Sequence, residues 1–190
     1  QTLRNDHDWI DRDHNFIARS ATERLVRLGH QRIAYLSTPY RYTYSHHARD
    51  GYRDALSAAG IAHDPELEME CFLSRNTGDD AMTELLSRGG EPTAIFCGND
   101  MIALSAIAAI RRFGLEPGKD IAVIGCDDIP IASAQRPGLT TFSQNLDAIG
   151  MRMGKMILAK LGGETETLQQ IVDCQMILRE TDMPPARVIV

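Results

Sequence analysis

Two short apolar runs, Ala94-Ile95-Phe96-Cys97 and Ile121-Ala122-Val123-Ile124, show no alternation of polar and apolar residues. A strand with one face in water alternates; a strand that does not is covered on both faces, as inside a parallel sheet packed between helices. These runs therefore demand helices on both sides of the sheet, and the flanking sequence supplies them. "NFIARSATERLVRLGH" sets Ile17, Ala21, Leu25 and Leu28 on one helical face and closes at Gly29. "RIAYLST" follows as a strand, and a loop rich in tyrosine and arginine, "PYRYTYSHHAR", leads into the helix "DGYRDALSAAGI", ended by Gly60. "MECFL" reads as a short strand, and "TGDDAMTELLSRGG" as a helix with acidic residues in its first turn, where the macrodipole favours them. "DMIALSAIAAIRRFG" is a helix that Asp100 can N-cap and Gly114 ends.

Strand and helix thus alternate from residue 30 to residue 128, which predicts an α/β fold built on a doubly wound parallel sheet. The run "LTTFSQ" breaks the alternation; the helix "LDAIGMRMGKMILAKLGG" and a closing strand "QQIVDCQMILRET" follow it.

Both buried runs stop at a glycine and then turn polar, to Asn99-Asp100 and to Asp127-Asp128. In an open parallel sheet the ligand sits beyond the carboxyl ends of the strands. An amide offers donors and acceptors there, and a carboxylate only acceptors, a combination suited to a hydroxyl-rich ligand. Left buried and unpaired, each group would cost about 1–3 kcal/mol. Asn99 and Asp127 are accordingly assigned to ligand contact, Asp100 to helix capping and Asp128 to the loop.

Several functions fit the sequence poorly. A formal net charge of -6 leaves this segment without an electrostatic footprint for nucleic acid. No apolar run approaches the ~20 residues that span a bilayer, and the first residues carry no signal-peptide core. Cys71, Cys97, Cys126 and Cys174 form no CxxC pair and read as small buried hydrophobes of a reducing, cytoplasmic compartment. His46-His47 falls in a solvated loop with no further metal ligand nearby. No dinucleotide fingerprint, P-loop or nucleophile elbow appears, so neither catalysis nor a cofactor or metal is expected. Met151, Met153 and Met156 recur at helical spacing, as for core packing or lobe contact.

The blocks "GHQRIAYLSTP", "GYRDALSAAGI", "PTAIFCGNDMIALSAIAAIRRFGLEPGKDIAVIGCDDIP" and "LTTFSQ" together resemble the effector-binding core of the LacI/GalR transcription regulators, itself similar to periplasmic sugar-binding proteins. The resemblance runs from about Asp11 to Glu180. It implies a periplasmic-binding-protein-like type I fold, two doubly wound parallel-sheet lobes joined by three crossovers, with the N-terminal lobe incomplete. Residues 1–29 and 145–163 would be a remnant of that lobe, 30–141 and 168–181 the C-terminal lobe, and 182–190 a tail. The implied effector is a small molecule, a carbohydrate, held in the cleft by Asn99, Asp127 and Gln144. The family's cleft arginine lies three residues before the glycine of "GY"; that place holds Ala48, so Arg49 or Arg41 would take the role. Leu73 and Phe72 stand where a stacking ring is expected. The implied protein is a homodimeric repressor reaching operator DNA through a helix-turn-helix headpiece preceding Gln1; a periplasmic sugar receptor is the alternative.

Overall fold

The computed structural model describes residues 6–72 and 78–186. Its main sheet is parallel, with strands β2 (Ile33–Ser37), β3 (Glu68–Glu70), β4 (Ala94–Cys97) and β5 (Ala122–Ile124) in the order β3-β2-β4-β5. The period-two geometry of a strand divides its residues between two cores. Ala34, Leu36, Ile95, Cys97 and Val123 face α3 (Gly78–Ser87) and α4 (Asp100–Arg112). Ile33, Tyr35, Ala94, Phe96, Ala122 and Ile124 face α1 (His14–Arg27) and α2 (Thr43–Ala58). Both sides being helical explains why these strands carry no polar alternation. On the second side the Tyr35 and Phe96 rings stack at 5.4 Å, and the buried Tyr52 hydroxyl donates to Ile33 O at 2.8 Å. Each such ring adds about 1.5–3 kcal/mol by burial.

The helix pairs pack with almost no separation. A Cβ on Gly51 of α2 would fall 2.2 Å from Asn15 O, and one on Gly78 would fall 2.1 Å from Ile102 O.

Beyond β5 a short helix α5 (Pro130–Ala134) leads into β6 (Thr141–Phe142), which continues the main sheet through parallel bridges Ile124–Thr140 and Asp127–Ser143. A second, small unit pairs β1 (Trp9–Arg12) in parallel with β7 (Gln169–Val172), with α6 (Leu146–Leu161) against β1. The chain passes between this unit and the main sheet three times: at Arg12–Asp13, at Ser143–Asn145 and at Asp173–Gln175. The last two passages are stitched together, since Ser143 N–H donates to Gln175 O and Asn145 Nδ2 to Asp173 O.

Three expectations need correction. Residues 14–29 do not belong with 145–163: α1 buries Ile17, Ala18, Ala21 and Leu25 in the core shared with β2 and α2, because its apolar face matches the sheet. The segment 168–181 is not one strand of the main body, since β7 joins β1 while β8 (Met176–Ile177) pairs antiparallel with β6. His46 and His47 lie within α2, which starts at Thr43, well before the glycine that suggested its beginning. The four cysteines are buried and unpaired, as expected. Among the described residues no helix is long and apolar enough to cross a membrane, and no group of acidic, histidine or cysteine residues could hold a metal.

Candidate functional site

A cavity of about 400 Å³ opens beyond the carboxyl ends of β2, β3 and β4. Its wall combines Thr38 and Pro39 after β2, Arg41, Tyr42 and Tyr44 at the start of α2, Cys71 and Phe72 after β3, and Asn99, Met101, Ile102 and Ser105 of the β4–α4 segment. This is where the right-handed crossovers of a parallel sheet leave a crevice. Asn99 caps α4, its Oδ1 accepting from Ile102 N–H at 2.8 Å. Its Nδ2 has no protein partner among the described residues and remains a donor for the cavity. Thr38 and Ser45 share a hydroxyl hydrogen bond of 2.7 Å.

An aromatic ladder forms one side. The Arg41 guanidinium lies 4.9 Å over the Tyr42 ring and donates to the Tyr42 hydroxyl at 2.9 Å. Tyr42 stacks on Tyr44 at 5.4 Å, and Tyr44 meets the His14 ring at 5.0 Å. Burial raises the Tyr44 pKa, so that hydroxyl stays protonated. Burial likewise pushes the Cys71 thiol up to about 12, which keeps it neutral and a poor nucleophile.

The strand-end carboxylates are each held by other parts of the chain. Asp100 is wholly buried; its side chain accepts from Ile129 N–H at 3.0 Å and from the Thr141 hydroxyl, so it fixes the turn after β5 rather than capping α4. Asp127, at φ 130°, accepts from Arg12 at 3.0 Å. It acts on Tyr44 electrostatically, in the opposite sense to Arg12, so it lies beside the ladder without lining the cavity. Asp128 is no idle loop residue: Arg179 donates to it at 2.6 Å.

Of the sequence-predicted residues, Asn99, Arg41 and Phe72 converge on the cavity. Arg49 does not; it lies 5.0 Å over the Tyr40 ring, beside Asp50. Gln144 is half-buried at a chain passage and does not line the cavity either. Leu73 lies outside the described residues. Thr38, Tyr42, Tyr44, Met101 and Ser105 were missed. The alternate tyrosines of "YRYTY" gave no clear signal, because a turn closed by Tyr42 N–H donating to Pro39 O sets Tyr42 and Tyr44 at the cavity and turns Tyr40 away to Glu68.

A second hollow of about 510 Å³ lies between β1 and α6. Apart from Asp8 and Lys160, which pair at 3.3 Å, its lining is Trp9, Ile10, Met153, Met156, Ile157 and Leu161. Its polar groups are that ion pair and Trp9 Nε1, a buried donor without a partner among the described residues.

Residues 22–181 match the model of the periplasmic binding protein-like domain. The chain is similar to the HTH-type transcriptional regulator CelR of Thermobifida fusca, 32% identical over 174 residues, which cover 91% of this chain and 51% of that protein. Among solved structures it is similar to a transcriptional regulator CelR–cellobiose complex, with TM-score 0.87 and 31% identity, covering 92% of this chain and 54% of that one. It is also similar to a lac repressor dimer bound to operator and the anti-inducer ONPF, with TM-score 0.85 and 31% identity, covering 92% and 52%. The chain spans about half the length of the curated relatives it matches.

Proposed function

Because the chain belongs to the family of periplasmic binding protein-like domains, in the form carried by LacI/GalR regulators, we propose that it is the ligand-sensing core of a transcription regulator that takes a small hydroxylated effector, a sugar or sugar derivative, in the cavity beyond the main sheet. One observation carries this reading: the cavity gathers an amide donor at Asn99, a guanidinium at Arg41, hydroxyls at Thr38, Tyr42 and Tyr44, and the flat apolar face of Phe72. Convergent polar groups over a largely apolar wall are what a polyol with one apolar face requires.

The effector acts as a switch only if its affinity differs between two arrangements of the chain. The three passages between the main sheet and the β1–β7 unit are where such arrangements would differ. In the whole regulator that difference would reach operator DNA through a separate headpiece, and the working form would be a homodimer. This chain's part is binding and not turnover, in keeping with relatives that are regulators. A thermal-shift screen of mono- and disaccharides tests the reading, repeated on Ser105→Trp, which fills the cavity from α4. A sugar that raises the midpoint of the parent chain should lose its effect on the variant. Stabilisation that survives the tryptophan would refute the site.

A further inference from the structure

We infer that the effector held in this cavity is anionic: a hydroxylated carboxylate or a phosphate ester rather than a neutral sugar. The inference rests on the cavity being the binding site and deepens that reading. Its warrant is the charge on the wall. Among the described residues lining the cavity, Arg41 is the one charged side chain. It has no carboxylate partner among them, and its contacts are the ring and hydroxyl of Tyr42.

The nearby acids are engaged elsewhere, including Glu70 and Asp80, which act on Cys71 in the wall: both have partners in the chain, Glu70 accepting from Tyr40 N–H at 2.7 Å. Asp127 is bound to Arg12, and the two act on Tyr44 in opposite senses. Asp128 is held by Arg179, Asp79 at the start of α3 by Arg112, and Asp100 is buried beneath the turn after β5. His14, at the foot of the ladder, is kept neutral, its pKa lowered to about 3 by burial and by Arg12.

The backbone adds to the same sign. α2 begins at the cavity with Tyr42 as a cap that makes no side-chain hydrogen bond; Ser45 N–H is taken by Tyr42 O, which leaves the Thr43 and Tyr44 N–H groups as donors. The ladder also stiffens Arg41, since a guanidinium stacked on a ring loses less freedom when it grips a planar or tetrahedral anion. A neutral sugar would give this guanidinium only ordinary hydrogen bonds, whereas an anion adds a charge-assisted one.

The test uses selective labelling of methionine methyl groups, with the Met101 signal assigned by its loss in Met101→Leu. Met101 lines the cavity and the other methionines serve as internal controls. D-glucose, D-glucuronate and D-glucose 6-phosphate are titrated at low salt. The expected result is a Met101 shift with both anions at affinities about tenfold or more above glucose, the factor that a charge-assisted hydrogen bond adds. That preference should fall with added salt and vanish in Arg41→Gln, a change at an exposed side chain. Dominance of the uronate or of the phosphate tells carboxylate from phosphate recognition. Equal binding of glucose, an anion preference that survives Arg41→Gln, or no Met101 response to either anion at tens of millimolar would each overturn the inference. In the first case the cavity itself stands as the site. Shifts confined to methionines elsewhere would remove both.

Discussion

Replacing Asp100 separates the two tasks that a strand-end carboxylate can have. The residue is fully buried, accepts from Ile129 N–H and the Thr141 hydroxyl, and donates its own N–H to Cys126 O at 2.7 Å. Asp100→Ala removes both acceptors and leaves two donors facing each other across an emptied space. At about 1–3 kcal/mol per orphaned donor, the expected loss is about 2–6 kcal/mol. A water entering the space would hold the loss to the lower end. For a domain of this size, that is a fall in melting midpoint of about 5–15 °C. Asp100→Asn is different in kind. Its amide oxygen can still accept from Ile129 N–H, and its NH2 can donate to the Thr141 oxygen once that hydroxyl rotates. It also removes a charge that is costly in this place, as the raised pKa of Asp100, caused chiefly by burial, attests. Because the folded-state pKa lies above the ordinary 3.8, the stability this group contributes is complete below pH 3.8 and is lost as pH rises through the folded-state value. The asparagine variant should therefore stay within about 1 kcal/mol of the parent at neutral pH and compare less well as pH falls toward 4. Urea denaturation at several pH values measures all three proteins. An alanine variant that loses less than about 1 kcal/mol, or an asparagine variant as unstable as alanine, would refute this role for the carboxylate.

Four further outcomes follow from the same structure. Arg12→Ala strands Asp127, since both side chains of the pair are largely buried at 17% and 20% exposure; a double-mutant cycle with Asp127→Ala should return about 1–2 kcal/mol of coupling, and a value near zero would show the pair to be idle. His14, held near a pKa of about 3 by burial and by Arg12, should show no imidazole titration by NMR between pH 8 and 5, and its folded-state depression means stability is lost as pH falls below 6.5; a midpoint above pH 6 would contradict its packing. Gly51→Ala should destabilise by about 2 kcal/mol or more because the new Cβ meets Asn15 O at 2.2 Å. Gly154→Ala, where a Cβ meets nothing within 4 Å, should stabilise by about 0.5–1 kcal/mol through helix propensity alone. Chemical denaturation of both variants reads the contrast.

The main sheet was legible because burial on both faces leaves a local mark: runs such as Ala94–Cys97 cannot be anything half-exposed. The strand β1 left no such mark. Trp9–Arg12 is short, half-polar and only half-buried, and its partner Gln169–Val172 lies across nearly the whole chain. The start of α2 was hidden because Tyr42 caps it without a side-chain hydrogen bond, so no Ser, Thr or Asp announced the helix. That Asn99 lines the cavity was legible from its position after a strand. That it, and not Asp100, caps α4 was not, since both side chains are competent caps and the choice is made by Thr141 and Ile129, contributed from elsewhere.

The same reasoning explains why Asp100 and Asp128 misled. A polar group at the end of a buried strand must be satisfied by something, and sequence cannot say whether that is a ligand or another segment of the chain. Here Asp100, Asp127 and Asp128 are each satisfied by a different distant partner, and together they fasten the turn after β5 to α4, to β1 and to the segment preceding Thr181. The polarity of the cavity then falls to Arg41, Asn99 and the hydroxyls. Asp127 keeps a particular position in this scheme. Arg12 takes only its Oδ1, and a carboxylate can accept several hydrogen bonds at once. An effector reaching from the cavity to the second oxygen would share the carboxylate with an arginine on β1, the strand of the small unit. Its binding energy would then depend on how that unit sits against the main sheet. That dependence is the thermodynamic condition for a sensor: a ligand that touched the main sheet alone would bind every arrangement equally and would shift none.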